Sequence, residues 1–177
     1  MSSETKSITS DVISFKTYKA KKIVDDKPNV WVAVGKMTPW TEANPETVPD
    51  VSMNDTVQEI VGMKRADLVH YVVPDENGTV EQYGQNWRII DEAEAIEKNC
   101  KWVYVQAWLS YDNFPVVTYR QTGVYILSEM VPGTPVNKQI VLPNEIVNNG
   151  FCCVVNNRNP MPRHSTQKES VEFIIEL

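Results

Sequence analysis

The chain has 177 residues, of which 42% are hydrophobic and 23% charged. This length suits one domain with a real core, and this composition is typical of a folded globular protein rather than a disordered or fibrous one. A formal net charge of -6 opposes binding to nucleic acid, which needs concentrated Lys and Arg. No stretch reaches the ~18 apolar residues of a membrane span, so neither nucleic acid nor a membrane is expected as a partner.

The N-terminal residues are expected to form a part separate from the main domain. Residues Met1 to Ser10 are polar and have no apolar signal-peptide core, so we expect intracellular synthesis without Sec export. Residues 11 to 24 carry spaced apolar and aromatic side chains, which predict one or two strands. We therefore expect residues 1–29 to form an N-terminal arm or the first strands, and residues 30–177 to form a single β-rich domain.

A buried strand followed by a proline-rich loop is predicted next. The apolar run from Val30 to Gly35 has strand length. Three prolines follow between residues 37 and 51, Pro39 and Pro45 among them, and each removes a backbone donor and restricts the residue before it. This stretch is expected to be a surface loop. Trp40 lies within it and either anchors another chain or packs against its own domain.

Two short helices are predicted from capping-box spacing. Asp55 and Gln58 have this spacing, and apolar residues follow them at helical intervals, which predicts a helix over residues 55 to 65. Asp91 and Glu94 repeat the spacing and predict a second helix before the next strand.

Strand signals dominate the rest of the chain. They cover residues 68–73, 79–83, 101–109, 116–120, 123–127 and 171–177. Asn77-Gly78 favours a hairpin between the first two of these strands. Both faces of residues 101–109 are apolar or aromatic, so both should be covered, one by the core and the other by a helix, a sheet or a partner chain. The fold class predicted is mainly β (α+β), an antiparallel or mixed β-sandwich-like domain with two short helices.

Catalytic and metal-binding patterns are poor. The chain has no Walker loop and no G-x-S-x-G or G-x-G-x-x-G motif. The carboxylates Asp91, Glu92, Glu94 and Glu97 include a conceivable acid/base pair for a glycan hydrolase, but a solvated, capped helix face is favoured. Three cysteines, expected to be reduced, and two histidines match no zinc spacing. We therefore predict no catalytic residue, no cofactor and no metal.

Tryptophans and one arginine are the remaining candidates for function. Trp31, Trp102 and Trp108 lie inside strand runs and are expected in the core, although a glycan-binding or partner-binding platform is the alternative. Arg120 is expected to tie its strand to carbonyl groups or a carboxylate, because a planar guanidinium suits such semi-buried pairing. A solvated arginine at a strand end is the other interpretation.

The order of several motifs resembles the baseplate wedge structural proteins of contractile-tailed bacteriophages, and in particular the wedge subunit of T-even phages. These motifs are Val30 to Lys36, Thr38-Pro39-Trp40, Asn44-Pro45, Val103 to Val105, Asn113-Phe114-Pro115, Tyr119 to Gly123, Asn157-Arg158 and Ile174-Ile175-Glu176. The chain departs from the pattern at Thr122, where the family has an aliphatic residue, and it is shorter than the T-even subunit. The T-even partner list is therefore not carried over.

The resemblance implies a non-enzymatic structural subunit of the tail baseplate, assembled in the host cytoplasm. It implies binding to other tail proteins, self-association as a dimer within the wedge, and no cofactor. A neck, head-tail connector or fibre-attachment subunit is the structural alternative, and a glycan-binding module or glycan hydrolase is the alternative from another class. The candidate interface residues are Trp40, Pro39, Pro45, Trp108 and Arg120.

Overall fold

A computed structural model describes residues 8–41, 47–51, 55–164 and 166–177. Within them lie the helices α1 (Ile13–Asp25) and α2 (Glu92–Glu97). The strands are β1 (Trp31–Gly35), β2 (Gly62–Arg65), β3 (Leu68–Pro74), β4 (Val80–Gln82), β5 (Gln85–Ile90), β6 (Trp102–Leu109), β7 (Thr118–Ile126), β8 (Glu129–Met130), β9 (Ile140–Val141), β10 (Ile146–Asn148), β11 (Phe151–Pro162) and β12 (Glu169–Glu176).

Two five-stranded antiparallel sheets form the body of the molecule. The first sheet has the order β11-β7-β1-β2-β9 and the second has the order β12-β6-β3-β5-β4, while β8 and β10 pair separately. Both sheets supply the main core, which holds Val34 and Val124 from the first and Val105 and Phe173 from the second. The predicted β-rich, sandwich-like fold is confirmed.

Residues 11 to 24 were expected to form strands, and this was wrong because most of them lie in α1. Thr17, Ala20 and Ile23 are the buried residues of the helix, and their spacing of three places them on one face. That face packs against β3 and β6. The exposed aromatics Phe15 and Tyr18, which suggested strands, lie outside the buried set.

The helix expected over residues 55 to 65 was also wrong. Glu59 has a φ of 47°, which interrupts a right-handed helix, and residues 62 to 65 form β2. Partners distant in sequence supply the hydrogen bonds of this segment. The Gln58 backbone N–H donates to the Gln121 side-chain oxygen at 2.8 Å, and the Gln58 carbonyl accepts from the Lys36 N–H at 2.6 Å.

The hairpin expected at Asn77-Gly78 was wrong as well. β4 pairs with β5, and β5 pairs with β3. Tyr83 and Gly84, which connect β4 to β5, have positive φ values of 54° and 75°, as a tight two-residue turn requires.

The two strands expected at 116–120 and 123–127 are one strand, β7. Gly123 lies within it and lets Val57 approach closely, because a Cβ at this position would lie 2.6 Å from a Val57 methyl group.

Other predictions were confirmed. α2 forms, and the Asp91 carboxylate caps it by accepting from the Glu94 N–H at 2.9 Å. The β6 side chains facing the core are fully buried, while the opposite face carries a smaller cluster around Trp87 and Tyr104. Trp31 is 2% exposed, as expected for the core.

The core expectation for Trp108 was wrong, because this side chain is 38% exposed on the face of β6 away from the core.

Candidate partner interface

The first half of the proline-rich loop, here called the Trp40 loop, comprises Lys36 to Thr41 and begins where β1 ends. Lys36 has a φ of 59°, so the chain turns sharply as it leaves the sheet. Gly35 is needed immediately before this turn, because a Cβ there would collide with the carbonyl oxygen of Gln58. Residues 57 to 61 therefore run directly beside the start of the Trp40 loop.

Glu59 holds the Trp40 loop in place. Its carboxylate accepts hydrogen bonds from the Thr38 hydroxyl at 2.6 Å and from the Thr38 N–H at 2.9 Å. The Lys36 ammonium lies 3.4 Å from the same carboxylate. These contacts, the Thr38 hydroxyl first, lower the pKa of Glu59 to about 2. The carboxylate thus stays ionised and keeps accepting these hydrogen bonds across the neutral pH range.

β7 holds the same loop from the other side. Arg120 is 7% exposed and donates from its guanidinium to the Met37 carbonyl. This is the expected bond to a carbonyl group, and that prediction is confirmed. Gln121 is fully buried, and its amide nitrogen donates at 2.8 Å to Asn157, whose own amide donates to the Pro49 carbonyl at 3.1 Å. Side chains of β7 and β11 therefore fix both described parts of the proline-rich stretch.

The fixed loop presents apolar side chains outward. Pro39 is exposed and Met37 is 45% exposed. Trp40 is half-buried, and the Lys36 ammonium lies 5.8 Å from the centre of its ring. Its indole N–H is buried and has no acceptor among the residues that the structure describes. A rigid loop that carries an aromatic side chain and lies at one end of a sheet is a suitable place for another chain to bind.

The structure brings three of the five candidates together. Pro39 and Trp40 lie in the loop that Arg120 holds. Trp108 is apart from them on the second sheet, with the Lys168 ammonium 4.4 Å above its ring. Pro45 lies outside the described residues. All five remain predicted interface residues.

Glu59 and Gln121 are the site residues that sequence reasoning missed. Glu59 was assigned to a helix over residues 55 to 65, which gave no indication of a contact with Thr38. Gln121 gave a weak signal, since it fell between the two strands predicted at 116–120 and 123–127. The partners that fix them, Thr38 and Asn157, are far away in sequence.

Three of the four carboxylates considered for catalysis form ion pairs or cap a helix, and the fourth, Glu97, is exposed. Glu94 accepts two hydrogen bonds from the Arg88 guanidinium, at 2.6 and 3.1 Å, and lies 2.9 Å from the Lys98 ammonium. Glu92 pairs with Lys21 at 2.6 Å. Asp91 caps α2. This is the capped helix face that the sequence favoured over an acid/base pair.

Metal-ligand clusters and membrane-spanning helices are absent from the part of the chain that the structure describes. Residues 8–41, 47–51, 55–164 and 166–177 hold no cluster of three or more His, Cys, Asp or Glu side chains suited to a metal ion. No helix in that part of the chain has the length and apolar character needed to cross a membrane.

Comparison with known proteins gives two matches. A family model described as "Baseplate wedge 3 tail fiber network component" matches residues 8–177. The chain is also 26% identical over 168 residues to "Virion protein 3" of Enterococcus phage phiEF24C, and the alignment covers 92% of this chain and 91% of that protein.

Proposed function

Because the chain belongs to the baseplate wedge 3 tail fiber network component family, we propose that it is a non-enzymatic structural subunit of the baseplate wedge. It is assembled in the host cytoplasm and acts by binding other tail proteins. The observation that carries this proposal is the Trp40 loop, which Glu59 and Arg120 anchor and which exposes Met37 and Pro39. Such a loop binds a partner at a low entropic cost, because it is ordered beforehand.

Self-association as a dimer is part of the same proposal, and the free edge of β11 supports it. Among the residues that the structure describes, β11 is the longest strand and pairs on one side only, with β7. Its first seven residues, from Phe151 to Asn157, carry no charge. Natural proteins usually protect a long edge strand with charges or prolines, which β11 carries only from Arg158 onward, and the unprotected stretch before Arg158 is suited to pairing with another strand.

Replacement of Trp40 by Ala tests the interface role of the loop. We expect the isolated Trp40→Ala protein to keep its melting temperature within about 3 °C, because Trp40 is not part of a core cluster. Its incorporation into baseplates, measured by quantitative blotting of purified particles from a complemented deletion phage, should fall about tenfold or more.

Trp31→Ala is the matched control. Trp31 is buried, so this variant should lose roughly 3 to 5 kcal/mol of unfolding free energy in the isolated protein. If Trp40→Ala also melts far below the wild type, Trp40 packs on its own domain and the loop is not the interface. Absence of the wild-type chain from purified baseplates would reject the wedge proposal itself.

A further inference from the structure

A groove with an apolar lining runs between α1 and the edge of the sandwich, and no residue of the Trp40 loop lines it. It has a volume of about 680 Å³. α1 forms one wall, and the ends of β7 and β12 together with β11 form the other. The apolar side chains that line it include Ile23, Ile126, Leu127, Cys153 and Ile175. Leu127 is 57% exposed, so the groove opens to solvent.

Aromatic side chains extend this apolar surface along α1. Phe15 and Tyr18 are 48% and 52% exposed, and their rings stack with centres 6.1 Å apart. The Lys19 ammonium lies 4.7 Å from the Phe15 ring centre, and the Lys22 ammonium lies 5.4 Å from that of Tyr18. The helix fixes the backbone of all four residues, so a partner would meet an ordered surface.

The lysines of this surface have spare positive charge. Lys22 makes no ion pair with a carboxylate in the part of the chain that the structure describes, and Lys19 has a single contact, at 3.7 Å, with the exposed Asp11. The whole chain carries a net charge of -6, so a positive surface is an exception on this molecule.

The acidic residues of the groove are already engaged. Asp25 lies 3.1 Å from Lys21, and Asp26 accepts a hydrogen bond from the Asn29 amide at 2.6 Å. Glu176 pairs with Lys101. The Asn29 amide is neutral and leaves the charge of Asp26 in place, so the two lysines, Lys19 and Lys22, outnumber the one acidic lining residue that has no cation beside it in the described part of the chain.

We propose that the α1 groove binds an acidic segment of a different tail protein, a conclusion that rests on the proposed assembly role. An aliphatic or aromatic side chain of that segment enters the groove between Ile23 and Leu127. Neighbouring carboxylates lie against Lys19 and Lys22. Opposite charges direct the encounter and fix the register, while the buried apolar side chain supplies most of the affinity.

Photo-crosslinking in assembled particles tests the identity of the occupant. Tyr18 is replaced by p-benzoylphenylalanine in a complementing chain, and the crosslinked peptides are mapped by mass spectrometry. We expect crosslinks to a segment of another tail protein in which Asp and Glu outnumber Lys and Arg. The same probe at Tyr83, 64% exposed on the turn between β4 and β5, should not reach that segment. Crosslinks to a neutral or basic segment, to this chain or a second copy of it, or to nothing would overturn the proposal.

Charge reversal tests the role of the lysines. Particles complemented with the double variant Lys19→Glu, Lys22→Glu should contain at least about tenfold less of the chain than the wild type. The double variant Lys19→Arg, Lys22→Arg keeps the charge and should be incorporated normally. Both isolated proteins should melt within about 3 °C of the wild type, because Lys22 has no ion pair and that of Lys19 is long and exposed. If the wild-type chain is present in baseplates and the Glu variant is incorporated equally well, the groove proposal is rejected. The wedge role would then remain intact.

Discussion

Arg120 shows how one side chain holds a functional loop to the body of the molecule. It starts from β7, is almost fully buried, and donates to the Met37 carbonyl of the neighbouring Trp40 loop. A guanidinium has five N–H donors in a fixed plane, so it reaches a carbonyl while its shaft fills space in the protein. An ammonium group has neither this reach nor this shape.

Arg120→Lys should therefore weaken both folding and assembly. We expect a loss of about 1 to 2 kcal/mol in the unfolding free energy of the isolated protein, from the broken bond and the poorer fit of the shorter cation. Chemical denaturation measures this loss, and blotting of particles measures incorporation. If the Lys variant matches the wild type in unfolding free energy and in incorporation into particles, Arg120 behaves as a solvated residue and does not position the loop.

Residue roles were predictable where the chemistry of the side chain limits the choice. A planar guanidinium between two strand runs suits semi-buried pairing, which is why a bond of Arg120 to carbonyl groups or a carboxylate was predicted. Trp108 was assigned to the core because it lies inside a strand run, yet it lies near the end of β6 on the face away from the core. Gln121 was not foreseen as a buried residue, because its partners Gln58 and Asn157 become neighbours only in the folded chain.

At the scale of elements, β6 lies between β12 and β3 and carries core side chains of the second sheet. Val105 is fully buried and lies opposite Phe173 in β12 and Val69 in β3. Their side chains belong to the main core, which both sheets share. An ionised group in this position would have no partner and no water.

Val105→Asp should therefore prevent soluble folding. The expected result is protein in the insoluble fraction, or a soluble chain with no cooperative thermal transition in circular dichroism. Trp108→Ala, in the same strand but on its exposed side, serves as the control and should stay soluble with a cooperative transition. A Val105→Asp protein that melts like the wild type would show that β6 does not lie in the core.

Elements with one dominant periodicity were predicted correctly, and ambiguous ones were not. Every second residue of β6 from Val103 and of β12 from Val171 is apolar and buried, and α2 has its cap in the local sequence. In α1, exposed aromatic residues obscured the helical spacing of Thr17, Ala20 and Ile23. In residues 55 to 61, a capping-box pattern was overridden by hydrogen bonds to β7 and to the Trp40 loop. Tertiary partners decided both outcomes, and a local pattern carries no information about them.

At the scale of the whole molecule, the four edge strands of the two five-stranded sheets differ in how they are protected from pairing with another chain. β9 has two residues and β4 has three, which is too short to recruit a strand. β12 carries Glu169, Glu172 and Glu176 along its length. β11 has twelve residues and no charge before Arg158. The fold class was predictable from the sequence, but this arrangement was not, since strand order depends on pairings between distant segments.

The β11 edge is therefore expected to pair with its counterpart in a second copy, which gives a two-fold symmetric dimer. Phe151 is 68% exposed and Asn156 is exposed, so the double variant Phe151→Lys, Asn156→Lys adds charge to the edge without entering the core. Like charges that face each other across paired strands repel, so the dissociation constant of the dimer in sedimentation equilibrium should rise about tenfold or more above that of the wild type.

Tyr83→Lys is the control for this prediction, because it places the same charge on the turn between β4 and β5 and should leave the dimer unchanged. A wild-type chain that stays monomeric at about 100 μM, a concentration far above the dissociation constants of most specific dimers, would rule out self-pairing at β11. The same conclusion would follow if the double variant dimerised as strongly as the wild type.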